Sequence, residues 1–178
     1  MNKSELLSQF KAALLDRKNR VNFDDRLNHA PNEAGIYGVF SEDRLVYVGE
    51  SGCVRKRMRD IGSTYNHTLR RTIGTEMFES LPDYQPASSK KKFPEKMENL
   101  LNEHFSNLEV SFVSIDFGRT ETEEYLVENL EPRYNKKKEK IHITNCSRGI
   151  RNAWHFHYAL VLVFKVVCGG FCIALLTP

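Results

Sequence analysis

The chain has 178 residues, 40% of them hydrophobic and 28% charged, enough for a single domain whose core needs no staples. Its four cysteines, Cys53, Cys146, Cys168 and Cys172, show no CxxC pairing and it opens on "MNKSELLSQFKAALLDRKNR" without an apolar leader, so a cytoplasmic protein is expected rather than a disulfide-framed secreted one. The net charge of +3 does not argue for a polyanion partner: all 23 acids precede residue 141, where Arg148, Arg151 and Lys165 have yet to come, and the first 140 residues sum to zero.

In chain order, Leu6, Leu7, Phe10, Leu14 and Leu15 recur at helical spacing and predict a helix over 4–20, with Ser4 as its cap. After "HAPNEAG", two apolar stretches, "IYGVF" and "LVYVG", flank a polar "SED" and predict a β-hairpin. Residues 53–61 suit a short basic helix, and Leu69, Ile73, Met77 and Phe78 mark an amphipathic one within the otherwise Gly, Pro, Ser and Thr-rich segment 62–93. "PEKMENLLNEHFS" has proline at a favourable helix start and Met97, Leu100, Leu101 and Phe105 at helical intervals. "LEVSFVSIDF" alternates as a strand, and a last helix over 122–131 stops at Pro132. The order predicts an α+β fold, a small three-stranded antiparallel sheet flanked by helices.

Charge is more informative in its distribution than in its sum. Arg55, Lys56, Arg57, Arg59, Arg70 and Arg71 face only Asp60 across residues 52–71, with further basic runs at 90–92 and 136–140. Any one such run is ordinarily a solvated face. Several separate ones in a neutral domain are better explained by a surface that meets phosphates.

With "SED" as a three-residue loop, Tyr37 pairs with Tyr47 and Phe40 with Arg44, which puts the two phenols on one face and Ile36, Phe40, Val46 and Val48 on the other, core-facing one. Gly35 and Gly49 leave the phenols uncrowded. A cross-strand aromatic pair of this kind can simply stabilise a sheet, by roughly 0.2–1 kcal/mol.

"GIY" at 35–37 and "YVG" at 47–49, followed by "ESGCVRKRM" and later by "TEEYLVENLEPRYN", closely resemble the GIY-YIG nuclease superfamily over about residues 31–135. The resemblance implies an N-terminal helical extension (1–30), a nuclease domain (31–140) and an apolar tail (141–178). It implies a Mg²⁺-dependent endonuclease acting on DNA phosphodiesters, with Mn²⁺ as a substitute ion, of a stand-alone or restriction type, and a homodimer if both strands are cut. Tyr37 would be the general base for the attacking water and Tyr47 would orient water or phosphate beside it. Arg57 would hold phosphate oxygens in a guanidinium fork. Where many relatives carry histidine this chain has Ile61, and His67 or the Arg70–Arg71 pair is expected to supply the polar contact, with Arg55 and Gly49 also near the substrate. Glu123, with Leu126, Val127 and Leu130 at i+3, i+4 and i+7, begins the apolar face of its helix and would bind the metal. The other reading of Glu123 is a capping box with Thr120. Asn135 matches the family's asparagine, as a substrate-side or backbone-orienting residue. The alternative function is a nucleic-acid-binding module without catalysis on the same scaffold.

The run from Tyr158 to Leu176 approaches the length of a membrane span, but Lys165 near its centre costs roughly 2.5–3.5 kcal/mol. A tail anchor, a segment covering the core and an anomalous terminus all fit it. His155, His157, Cys168 and Cys172 lack zinc-finger spacing.

Overall fold

The computed structural model describes residues 2–135. Helix α1, Lys3–Leu15, is capped by Asn2 rather than Ser4: the Asn2 side chain accepts the Ser4 N–H, and Glu5 returns a bond to the Asn2 N–H at 3.1 Å. A carboxylate three residues after an asparagine completes a reciprocal box that Ser4 cannot. The helix ends at Leu15, because Asp16 is extended and opens a tight 3₁₀ turn, Arg17–Asn19.

The sheet has four antiparallel strands, not three, in the order β1-β4-β2-β3: β1 Val21–Asn22, β2 Gly35–Ser41, β3 Arg44–Ser51 and β4 Glu109–Ser114. The additional strand, β1, has two residues, too few to show an alternation in sequence. The hairpin register also differs from the expected one. Glu42 and Asp43, both at positive φ (47° and 67°), form a two-residue turn, so Ser41 pairs with Arg44 and Phe40 with Leu45. Positive φ at both central positions gives the turn the twist that matches its strands. A bulge between Val39 and Phe40 then leaves Val46 without a register partner, so that Tyr37 faces Gly49 and Val39 faces Tyr47. The turn and bulge together displace the register by two residues. Side chains alternate with a period of two, so both tyrosines still share a face. Val46 does not go with Ile36 and Val48: it packs with the tyrosines.

Both faces of the sheet are covered. On the tyrosine side, α3 (Val54–Ile61), α4 (Thr68–Phe78) and α5 (Glu95–Ser106) pack Met58, Ile61, Leu69, Ile73, Leu101 and Phe105 against Val39 and Val110. On the other side, α1 and α6 (Arg119–Leu130) bring Leu14 and Leu126 onto Ile36 and Val48. Each of these side chains contributes about 1.5–3 kcal/mol by its burial. Leu100, expected inside, is 43% exposed; the helix it shares with Met97 and Leu101 buries a narrower stripe. A short helix, α2 (Arg26–His29), lies between β1 and the hairpin, and Arg26 donates from Nε to the Met58 carbonyl at 2.9 Å, tying it to α3.

Among the described residues no helix is long and apolar enough to cross a membrane. The apolar run 158–176 and the four residues weighed for zinc lie outside the described residues.

Candidate active site

Four elements meet in a cleft of about 210 Å³ beside the outer strand β3. The hairpin contributes Tyr37, Tyr47, Gly49 and Glu50, α3 contributes Arg57, the turn into α4 contributes Asn66, His67 and Thr68, and α6 contributes Glu123. Glu123 comes from the helix on the opposite face of the sheet: α6 packs along β3, an edge strand, and its carboxylate reaches the cleft past that edge.

The capping-box alternative for Glu123 is not realised. The α6 N-cap is Gly118, in the left-handed conformation at φ 78°, and the helix begins at Arg119, so Thr120 and Glu123 both lie inside it.

The two phenols are diagonal neighbours, ring centroids 6.0 Å apart and tilted by 41°. They differ in access: Tyr37 is 1% exposed, whereas Tyr47 is half-buried. The Tyr37 ring lies across Gly49, where any β-carbon would stand 2.5 Å from the ring and its oxygen. Residue 49 is therefore glycine to admit the phenol.

His67 completes an aromatic cluster, its ring 5.8 Å from that of Tyr47 and 6.5 Å from that of Tyr37. Its Nε2 lies 3.1 Å from the Tyr37 hydroxyl, and its Nδ1 accepts the Leu69 N–H at 3.2 Å, capping α4. The residue is 4% exposed.

Burial is the largest influence on all three rings. It holds the Tyr37 hydroxyl well above the usual phenol range, with the neighbouring Tyr47 adding to the rise and Arg57 opposing it. Tyr47 is raised by burial and by Glu123, against the hydrogen bond from Tyr37 and the charge of Arg57. Burial, then Arg57 and Arg71, pull His67 down to about 4, so it is neutral at pH 7. Glu123 and Arg57 thus act on the phenols with opposite sign from the same cleft.

The other expected substrate contacts are distributed differently. Arg70 points into the core, not the cleft: it is 2% exposed, paired with Glu98 at 3.2 Å, bonded to Thr64 at 3.0 Å and to Asn102, and stacked over Phe105. This corrects the expectation of a phosphate contact, because a helix that packs one face on the core turns adjacent residues in different directions and Arg70 falls on the inner one. Arg71 binds the carbonyls of Thr64 and Tyr65 at 2.8 and 2.9 Å, which fixes the loop that leads to His67. Arg55 is not among the residues that line the cleft. Asn135 acts as a strand surrogate: its amide accepts the Val48 N–H at 2.8 Å and donates to the Val48 carbonyl at 2.7 Å. With Tyr134 N–H on the Val46 carbonyl at 3.0 Å, it covers the exposed edge of β3 between the residues that flank Tyr47.

Glu50, Asn66 and Thr68 line the cleft without having been singled out in sequence. Strict alternation assigns Glu50 to the opposite face from Gly49, and only its place near the strand end, paired with Arg119 at 3.5 Å, brings it to the rim. Asn66 and Thr68 carried one signal, their adjacency to His67.

No protein-family model matches the chain, and none of the curated proteins does. Among solved structures, it is similar to the GIY-YIG N-terminal endonuclease domain of UvrC from Thermotoga maritima bound to its catalytic divalent cation, magnesium, at 17% identity and a TM-score of 0.35 over 68% of this chain and 99% of that one. Point mutants of the same domain bound to the cation give 18% and 19% identity with a TM-score of 0.37, at the same coverage. A likeness this distant leaves the chemistry of the cleft to be read from its residues.

Proposed function

We propose that the protein is a Mg²⁺-dependent endonuclease that hydrolyses DNA phosphodiester bonds, of a stand-alone or restriction type. The observation that carries this reading is the convergence of Tyr37, Tyr47, Arg57 and Glu123 from four parts of the chain on one cleft. Hydrolysis requires a base for the attacking water, a cation against the charge that develops on the phosphoryl oxygens, and room for the phosphate. Two phenols, a guanidinium and a carboxylate meet those needs together.

In this reading the tyrosine pair handles the proton of the water. Tyr37 is the base that the motif implies, and Tyr47, nearer to solvent, holds the water or phosphate beside it. The raised position of both phenols means that each rests protonated near neutral pH, so turnover rises with pH as the base ionises. Arg57 forks two phosphate oxygens and offsets the charge of the phosphorane as the P–O bond to the leaving oxygen breaks.

The donor set suits a hard cation. Glu123 and Glu50 both line the cleft, and Glu50 Oε2, ion-paired with Arg119 at 3.5 Å, accepts no hydrogen bond among the described residues. Among those residues no three His, Cys, Asp or Glu side chains gather into a protein-enclosed metal centre. One or two carboxylates, completed by water and phosphate oxygens, is the arrangement Mg²⁺ adopts, with Glu123 as the residue that would hold it and Mn²⁺ as a substitute. Bound there, the ion would act as a Lewis acid on the phosphate.

The test is incubation of the purified full chain with supercoiled and linear DNA, with Mg²⁺ or with EDTA. Metal-dependent nicking or linearisation, lost in Arg57→Ala and Glu123→Gln while DNA binding persists, is the expected result. A wild-type chain that binds DNA and never cuts it would make the cleft that of a binding module.

A further inference from the structure

We propose that His67 is a positioning residue for Tyr37, its tautomer fixed by the cap of α4 so that the ring always donates to the phenol oxygen and never takes its proton. The inference rests on the nuclease reading for its catalytic meaning, but its geometry stands apart from it.

A neutral imidazole has one N–H and one bare nitrogen, and the partner of either settles both. The Leu69 backbone N–H at 3.2 Å can only donate, so Nδ1 must be the bare nitrogen. The proton is therefore on Nε2, and the 3.1 Å contact with Tyr37 runs from Nε2–H to the phenol oxygen. With that direction set, the hydroxyl hydrogen of Tyr37 points away from His67, toward Tyr47 and the cleft. His67 has no site left for a second proton without breaking the α4 cap, and the nearby Arg57 and Arg71 oppose a positive ring. The consequence is directional: a proton lost by Tyr37 leaves through the cleft, and the phenolate left behind keeps a fixed donor behind it.

The ring is held by more than its cap. Arg71 clamps the carbonyls of Thr64 and Tyr65 and the hydroxyl of Thr68, and Arg70 clamps the Thr64 side chain, so the residues on both sides of His67 are anchored by consecutive arginines of α4. This explains what two arginines turned away from the cleft do for it.

His67→Asn separates the two jobs of the ring, because its Oδ1 stands where Nδ1 does and caps as well, while nothing replaces Nε2. The expected result in single-turnover cleavage is a loss of about ten- to a hundredfold, the range for a hydrogen bond to a developing charge, with the alkaline limb of the pH profile moved upward and little change in urea midpoint. His67→Gln, whose amide N–H reaches the place of Nε2, should recover part of the rate. Wild-type cleavage by His67→Asn would overturn the proposal. Long-range ¹H–¹⁵N correlation spectra of the full chain give an independent reading, valid even for a chain that does not cleave. The expected signature is a protonated Nε2 and a bare Nδ1 on His67, with the Nε2–H resonance displaced in Tyr37→Phe; a protonated Nδ1 would overturn it.

Discussion

The Tyr37 ring occupies the space that a side chain at residue 49 would need, with its terminal carbon and its oxygen both 2.5 Å from the position of a β-carbon there. The phenol is pinned between that glycine and His67, so its place depends on a missing methyl. Gly49→Ala must push the ring aside, and overpacking of this kind costs about 1–3 kcal/mol. The expected outcome is a lower urea midpoint together with a loss of cleavage at least as large as that of Tyr37→Phe. A variant that keeps full activity would show that Tyr37 does not need its position.

Asn135 substitutes for a fifth strand at the edge of the sheet. Both of its bonds go to Val48, between Tyr47 and Gly49, and both are half-buried. Asn135→Asp turns the donor that meets the Val48 carbonyl into an acceptor, leaving a carbonyl unsatisfied and two oxygens opposed. The loss should be about 1–3 kcal/mol by chemical denaturation, with hydrogen exchange at the Val48 amide accelerated more than at Val39 in the interior of the sheet.

The helices and the hairpin were legible because their apolar positions repeat with the right period, and the shared face of Tyr37 and Tyr47 followed from parity alone. The register was not legible. "SED" contains no glycine or asparagine to announce a turn with positive φ at two positions, and Val46 looks like any other strand valine until its pairing is known. Among the cleft residues, Glu123 could be picked from its place on the apolar face of its helix, but the choice between cap and cleft needed the start of α6, which Gly118 sets. Arg70 and Arg71 were indistinguishable as neighbours in a basic run. Only the packing of α4 decides that one is buried with Glu98 and the other holds a loop.

Arg70 and Glu98 form a buried pair, the two side chains 2% and 15% exposed. Removing Arg70 leaves the Glu98 carboxylate partly buried with only the Thr64 hydroxyl and the Phe93 N–H as partners, so Arg70→Ala should destabilise the protein by about 3 kcal/mol. Replacing both with apolar residues of similar volume, Arg70→Met with Glu98→Leu, should restore much of the loss. The Thr64 hydroxyl, which bonds to both side chains, keeps that recovery incomplete. A double-mutant cycle read by urea denaturation checks the sign of the coupling.

His67 makes the fold sensitive to acid. Its folded-state value of about 4 lies below the 6.5 of the free side chain, so between those values the unfolded chain binds a proton that the folded one refuses. Stability from this residue is complete above 6.5, falls as pH drops toward 4, and declines no further below it, for a total of about 3 kcal/mol. After burial, the charges of Arg57 and Arg71 add to the cost of protonating the ring. Urea midpoints measured from pH 7 to pH 4 should fall more steeply for the wild type than for His67→Asn, which caps α4 without titrating. Parallel slopes for the two proteins would mean that the ring accepts a proton in the folded state at its ordinary value, and that the cap at Leu69 yields to it.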